Sequence, residues 1–289
     1  MELLSLRTFQ AVVEEGGILS ASRKLNTVQS NVTTRIKRLE EELGAELFYR
    51  KGRGLELAPS GRVLFDYAHQ LLQLESQASA AVRQVGEQTG ELRIGAMETY
   101  ASLRLAPALK RVRLKHGGVE LRVVTDTSSA LVERVLKHKL DCAFVGGRVD
   151  HPDLSAFEVG REELVLVRSK QATGHQQQLI LFREGCTYRA RALAWQRESG
   201  HQLSEIMELG TLDGILGCVA VGLGCTLMPA WVVAHSRHAD DLDIEPIESH
   251  LAMVPTVMIR HRKGLPMKAL ETLASAVLEQ TETTGVPSH

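Results

Sequence analysis

Between Arg23 and Arg38 the chain carries five basic residues, Arg23, Lys24, Arg35, Lys37 and Arg38, and no acidic one. Gln29, Ser30, Asn31, Thr33 and Thr34 are interleaved with them. Side chains of these types read duplex DNA. Guanidinium groups take phosphate oxygens or guanine O6 and N7, and amides bridge adenine N6 and N7. A second basic cluster, Arg50, Lys51 and Arg53, is threaded with Gly52 and Gly54 in a tight turn. Glu40, Glu41 and Glu42 stand between the clusters. Positive charge is thus sorted into two patches separated by one small helical unit, which suits a phosphate backbone. A solvated helix face and a charged hairpin are the plain alternative.

Three short helices are needed to position the first patch. Leu3, Leu4, Phe9, Val12 and Val13 recur at helical spacing until Gly16 and Gly17. A second helix covers residues 19–25, and a third covers 30–43 with Val32, Ile36, Leu39 and Leu43 on its buried stripe. Gly44 is its expected stop. After Pro59, Ser60 and Gly61 a long helix carries Leu64, Tyr67, Leu71, Leu74, Ala78, Ala81 and Val85 at spacings of three and four, a heptad seam. Such a stripe needs a partner, either the protein's own core or its copy in a dimer.

From Glu91 the pattern alternates. Strands are expected at 92–96, 119–124 and 141–147, with helices at 103–114 and 129–138 between them, a βαβαβ order that implies a parallel sheet. Apolar runs at 164–167, 179–182, 225–229 and 257–259 continue it, and a last helix covers 266–280 before a frayed tail.

At 289 residues the chain exceeds one typical core, so two or three structural units are expected. A hydrophobic share of 44% and a charged share of 24% fit an ordinary globular protein, and a net charge of -1 makes local patterning the only electrostatic argument for DNA. The start lacks the pattern of a secretion signal and no run is long enough to span a bilayer, which points to the cytoplasm and to no membrane partner. Cys142, Cys186, Cys218 and Cys225 form no CxxC pair and no metal-finger spacing. Four free thiols, no metal and no cofactor are expected.

The residues at 17–25 (Gly17 to Leu25), 28–36 (Val28 to Ile36), Leu39, Glu40, Leu43, Gly44, Leu47, Phe48, Arg50 and the run Leu57, Ala58, Pro59, Ser60, Gly61 keep a fixed order and spacing. This resembles the LysR-type transcriptional regulators over about the first sixty residues. Less specifically, Gly222 and Gly224 before Leu227, Met228 and Pro229, and Leu140 to Ala143, resemble later parts of the same family. The resemblance implies an α+β multidomain chain: an N-terminal winged helix-turn-helix at 1–60, a linker dimerisation helix at 61–90, and at 91–289 an α/β effector domain resembling type 2 periplasmic binding proteins. Its two subdomains would be about 91–160 with 263–289, and 161–262, with hinge crossings near Gly160, Arg161 and Glu162 and near Arg260, His261 and Arg262. A homodimer or dimer of dimers, a small-molecule effector, an interrupted palindrome in double-stranded DNA and, for an activator, RNA polymerase are the implied partners. Half-sites would lie about one helical turn, roughly 34–36 Å, apart or a multiple of it. Two positions depart from the family. Leu19 stands where Ser or Thr often caps the second helix, a loss of about 1 kcal/mol. Ala58 replaces a Thr at the junction with the linker helix and is expected to weaken a phosphate contact.

Under that resemblance the DNA contacts fall on Arg23, Gln29, Ser30, Asn31, Thr33, Thr34 and Arg35 of the helix-turn-helix, and on Arg50 and Arg53 of the wing. In doubly wound sheets ligands sit beyond the carboxyl ends of strands, at helix N-termini. That places Glu98, Thr99, Ser102, Thr127, Ser128, Gly146, Cys186, Thr187 and Gly224 around the effector. Each hydroxyl could equally be a helix cap. Glu98 is odd for an anion site and leaves a cationic or zwitterionic effector open. Cys186 beside a helix N-terminus is a candidate for a lowered pKa. The peroxide-sensing branch of the family resembles this segment but pairs its cysteine with a second one shortly after, and none follows here through Trp195.

An enzyme is the first rival, but no GxSxG, P-loop, dinucleotide fingerprint or HExxH occurs, and His235 with His238 makes no metal site alone. A solute-binding protein of a transporter is the second. It would fit residues 91–289 and leave the first ninety unexplained.

Overall fold

Apolar residues three and four apart close the first helices on one another. A computed structural model describes residues 1–51, 54–84, 90–171, 178–200, 205–264 and 266–283. The chain divides into two units, Met1–Glu87 and Gln88–His289. The first holds α1 (Leu3–Glu14), α2 (Ile18–Lys24), α3 (Gln29–Leu43), the antiparallel hairpin β1 (Phe48–Lys51) and β2 (Gly54–Leu57), and α4 (Pro59–Gln84). Phe9 is fully buried at its centre, with its ring 5.4 Å from Phe48 and 6.5 Å from Phe65. Val32, Ile36 and Leu39 of α3 pack beneath it. Gly44 ends α3 at φ 63, the left-handed conformation that favours glycine.

Two expectations about caps and contacts change here. The residue that caps α2 is Gly17, and Leu19 lies inside the helix, 47% exposed. Glycine at that place costs only a few tenths of a kcal/mol relative to Ser or Thr. Ala58 is fully buried and its N–H donates to the Leu47 carbonyl at 2.9 Å. A side chain there faces the core, so the change from Thr removes no phosphate contact.

The seam on α4 splits into two stripes. Leu64, Phe65, Ala68 and Leu72 pack into the unit's own core. Val63, Tyr67, Leu71, Leu74 and Val82 are exposed on the other side. Val85, the last position of the expected seam, lies outside the described residues. An Arg7–Glu75 ion pair at 2.6 Å and a Gln10–His69 hydrogen bond at 3.1 Å fasten α1 to α4.

The second unit begins with β3 (Gly90–Ala96), α5 (Glu98–Tyr100), one π-helical turn (Ala101–Leu105) and α6 (Ala106–Lys115). Next come β4 (Val119–Thr125), α7 (Ser128–Leu136), β5 (Cys142–Gly146), β6 (Leu154–Ser169), β7 (Leu179–Leu181), α8 (Thr187–Glu198), β8 (Ile206–Glu208) and α9 (Leu212–Ala220). It closes with β9 (Thr226–Pro229), α10 (Ala230–Ala234), β10 (Leu242–Pro246), α11 (Ser249–Ala252), β11 (Met253–His261) and α12 (Lys268–Thr283). The helix expected at 103–114 starts earlier, at Glu98, because the π turn shifts the phase of the apolar repeat. Pro107 follows that turn at the start of α6.

The main sheet runs β10-β6-β11-β5-β3-β4, with β9 also on β6. β3 pairs in parallel with both β4 and β5, as the βαβαβ reading requires. The apolar run at 164–167 is no separate strand. It is the second half of β6, one sixteen-residue strand with Gly160 and Glu162 at its middle. Val159 on one side of that middle joins a core with Leu92, Ile94, Phe144 and Leu273. Leu164 and Val167 on the other side join Ile215, Val219 and Met228. β11 also serves both cores: Val254 packs with the second, Met258 with the first, and the register shifts between Thr256 and Val257. The second crossing therefore lies at that bulge and not at Arg260–Arg262, which falls at and beyond the end of β11. The extra residue of that bulge is Val159 on β6, and a bulge re-aims the paired strands, whereas the sequence signal there was only the end of an apolar run. Among the described residues no helix is long and apolar enough to cross a membrane.

Candidate nucleic-acid interface and ligand cleft

Helix α3 is amphipathic by construction. Val32, Ile36 and Leu39 are buried, while Gln29, Ser30, Asn31 and Thr34 are exposed and Thr33 and Arg35 half-buried. Arg23 is exposed in the last turn of α2. The polar face is already ordered. Asn31 Nδ2 donates to Thr27 Oγ1 at 3.1 Å. The Thr33 and Thr34 hydroxyls donate to the Gln29 and Ser30 carbonyls at 2.9 and 2.8 Å. Both hydroxyl protons are thus spent inside the helix, which leaves their oxygens as acceptors.

The basic patch is smaller than its residue count. Lys24 Nζ bridges Glu14 at 3.0 Å and Glu15 at 2.8 Å, and these carboxylates, Glu15 foremost, raise its pKa. Arg38 lies near Glu42 and Glu2 at 3.6 and 3.9 Å. Arg23, Arg35 and Lys37 make no such ion pair among the described residues. Arg50 stands in β1 opposite Leu55. Arg53 lies outside the described residues.

Within the second unit a cavity opens where β3, β4 and β7 end. Its walls are Met97, Glu98, Thr99, Thr125, Asp126, Thr127, Ser128, Phe182, Arg183, Cys186, Tyr188 and Gly210. With its open mouth it measures about 460 Å3. Of the expected ligand residues, Glu98, Thr99, Thr127, Ser128 and Cys186 line it. Ser102, Gly146, Thr187 and Gly224 are not on its wall.

Four of the expected hydroxyls are engaged in the fold, Ser102 and Thr187 as donors and Thr127 and Ser128 as acceptors. Thr127 caps α7, its Oγ1 accepting from Ala130 N at 3.5 Å. The Ser102 hydroxyl donates to the Thr99 carbonyl at 3.0 Å. Thr187 Oγ1 donates to the Gly146 carbonyl at 2.7 Å, and the Gly146 N–H donates to Ser128 Oγ at 3.1 Å. Gly146 is thus a clasp between α7 and α8, and a Cβ on it would lie 3.1 Å from Met97 Sδ. Gly224 lets the chain pass against the Gln178 carbonyl before Cys225 bridges Leu179, a packing role away from the cavity.

Carboxylates supply the polar character of this region. Glu98 Oε1 accepts from Leu212 N at 3.2 Å, at the start of α9. Its Oε2 is buried with no hydrogen-bond partner, and burial raises its pKa. Glu162, 3% exposed in mid-β6, receives the Tyr188 hydroxyl on Oε2 and has no hydrogen-bond partner on Oε1. Tyr188 has one proton, which goes to Glu162, so Thr99 is the donor in its 3.3 Å contact with Tyr188. Burial pushes the pKa of Glu162 up, while the Tyr188 bond and the Arg104 charge pull it back. Asp126 is neutralised by Arg134 at 3.0 Å and Arg183 at 3.2 Å. The Arg104 guanidinium lies 4.5 Å over the Trp231 ring.

Cys186 does sit at the N-terminus of α8, but burial raises its pKa and outweighs the Arg189 and Tyr188 N–H groups that lower it. The helix N-terminus therefore does not give Cys186 the lowered pKa that its position suggested. All four cysteines are free thiols. His235 binds the Trp231 carbonyl and His238 lies beside Asp213, and no cluster of three metal-ligating groups occurs among the described residues. Sequence reasoning missed Phe182, Tyr188 and Gly210 on the wall, and Glu162 behind it. Glu162 alone carried a signal, a carboxylate beside the expected hinge and followed by an apolar run.

Comparison with known proteins matches residues 3–62 to the bacterial regulatory helix-turn-helix proteins of the lysR family and residues 86–282 to the LysR substrate binding domain. The uncharacterized HTH-type transcriptional regulator YusT of Bacillus subtilis (strain 168) is 36% identical over 276 residues, 94% of each chain. The HTH-type transcriptional regulator GltR of the same strain is 35% identical over 277 residues, 93% of this chain and 94% of the relative. Among solved structures, full-length CbnR complexed with its target DNA aligns at a TM-score of 0.70 and 20% identity, covering 96% of this chain and 99% of that one. The chain belongs to the LysR family of HTH-type transcriptional regulators.

Proposed function

We propose that this regulator reads an interrupted palindrome in double-stranded DNA with α3, and that a small molecule bound in the second unit switches it. Gln29, Ser30, Asn31, Thr33, Thr34 and Arg35 meet base edges and neighbouring phosphates, Arg23 holds a phosphate, and Arg50 and Arg53 take backbone or minor groove. The observation that carries this reading is the division of α3, with Val32, Ile36 and Leu39 in the core and an unobstructed amide and hydroxyl face opposite. The solved neighbour bound to target DNA supports the same use of the unit.

Residues 1–60 form the DNA-binding domain and 61–90 the linker dimerisation helix. The exposed stripe of α4 gives that helix a reason to pair with a second copy, in a dimer or dimer of dimers. Residues 91–289 bind the effector in the cavity walled by Glu98, Thr99, Thr127, Ser128 and Cys186, between subdomains joined by β6 and β11. The protein works in the cytoplasm, catalyses no reaction and, if it activates, contacts RNA polymerase. Relatives named as regulators support the absence of catalysis.

Fluorescence anisotropy against the DNA upstream of its own gene and a scrambled duplex, across salt, tests the reading. Tight binding to the upstream DNA with a steep salt slope and a much weaker scrambled control is the expected result. No binding to either duplex at low salt would overturn it.

A further inference from the structure

Resting on the effector reading above, we infer that the ligand of this cleft carries a cationic nitrogen, an ammonium or guanidinium group, which docks on Glu98. Three observations converge. Glu98 stands on the cavity wall with Oε1 held by Leu212 N and Oε2 buried and unpartnered. Next, Glu162 lies behind the Tyr188 and Thr99 walls with Oε1 also unpartnered, so a second carboxyl group, with the Arg104 charge near it, stands behind this part of the wall. Finally, the other acid on the wall, Asp126, already has Arg134 and Arg183, and no comparable ion pair serves Glu98 among the described residues.

A buried carboxylate oxygen without a donor is unfavourable unless something supplies both a proton donor and a positive charge. A cationic N–H group supplies both. An anion at the same place would meet Glu98 across a short, poorly screened distance. With its open mouth the cavity measures about 460 Å3, room for a small amine. Arg183, 57% exposed and on the wall, marks the mouth, where a carboxylate at the far end of a zwitterion finds its partner.

The test measures the thermal midpoint of the full chain with putrescine, agmatine or 4-aminobutyrate, and with butyrate and succinate as matched acids without the cation. At millimolar ligand, at least one cationic compound is expected to raise Tm by about 3 °C and the acids by nothing resolvable. Glu98→Gln keeps an oxygen for Leu212 and should abolish that rise. Glu162→Gln, which leaves the wall intact, should reduce it. Tm rises with butyrate or succinate alone, undiminished in Glu98→Gln, would overturn the assignment. So would the absence of any rise with the cationic compounds. In either case, upstream DNA bound specifically in the anisotropy assay would leave the regulator reading standing, whereas loss of that binding would count against the regulator itself.

Discussion

The Tyr188 hydroxyl donates to Glu162 Oε2, which ties the first turn of α8 to the midpoint of β6. Replacing Tyr188 by Phe keeps the ring in its core and leaves the Glu162 carboxyl with both oxygens unpartnered. Such a loss costs about 1–3 kcal/mol. The urea midpoint of Tyr188→Phe should fall with the slope unchanged. An unaltered midpoint would mean that the bond contributes nothing to the fold.

Glu98 titrates above the ordinary carboxylate range because it is buried. Its pKa is higher folded than unfolded, so the stability linked to its proton is present below about pH 4.5 and is lost as pH rises through the folded value. In the absence of ligand, Glu98→Gln should therefore raise Tm at neutral pH by roughly 2 °C and leave it nearly unchanged near pH 4. A variant less stable than the parent at pH 7 would refute the cost assigned to that charge.

The rings of His138 and His261 lie 3.9 Å apart. Burial lowers the pKa of both, assisted by Arg93 at the first and by His138 at the second. The unfolded chain then binds more protons, and the linked stability is present above about pH 6.5 and lost as pH falls through the lowered folded values. Replacing His261 by Phe should flatten the fall in Tm between neutral pH and pH 5. An identical profile in parent and variant would show that the pair is inert.

On DNA, Arg23→Ala should weaken binding to all sequences and reduce the salt slope by about one. Lys24→Ala should change little, because Glu14 and Glu15 already hold that charge. Asn31→Ala should relax discrimination between matched and mismatched duplexes by about 1–3 kcal/mol. Equal losses for all three variants on both duplexes would remove the distinction between positioning and reading.

Leu74 is 61% exposed and Val82 75% on the outer stripe of α4. Leu74→Glu should leave the first unit's core untouched and dissociate the oligomer, seen as a lower mass in sedimentation and a Tm that no longer depends on protein concentration. An unchanged mass would place the dimer contact elsewhere.

The helix-turn-helix was legible because its signals are local. Apolar spacing put Val32, Ile36 and Leu39 inside, and Gly44 marked the end of α3. What sequence could not show was how charges pair. Lys24 counts toward a basic patch until the fold brings Glu14 and Glu15 to it. The cleft was half legible for the same reason. Strand ends located Glu98, Thr99, Thr127, Ser128 and Cys186, but whether a hydroxyl faces a ligand or caps a helix depends on neighbours distant in sequence, as Thr187 and Gly146 are. Tyr188 was hidden because an aromatic residue in a helix reads as core. Cys186 shows a competition that spacing cannot weigh, since the helix N-terminus favours the thiolate and burial disfavours it more.

β6 runs unbroken from Leu154 to Ser169 through both cores. Val159 is already an extra residue in that ladder, since Thr256 faces Gly160 and Val257 faces Glu158, so a further insertion or deletion near Gly160 would turn every later side chain to the opposite face. The spacing between Val159 in one core and Leu164 in the other is thus a fixed ruler. Motion between the halves has to come from bending and twisting about that segment, because sliding would break the ladder on β11. Length variation among such proteins is accordingly expected in their surface loops, while the number of residues across this strand stays constant.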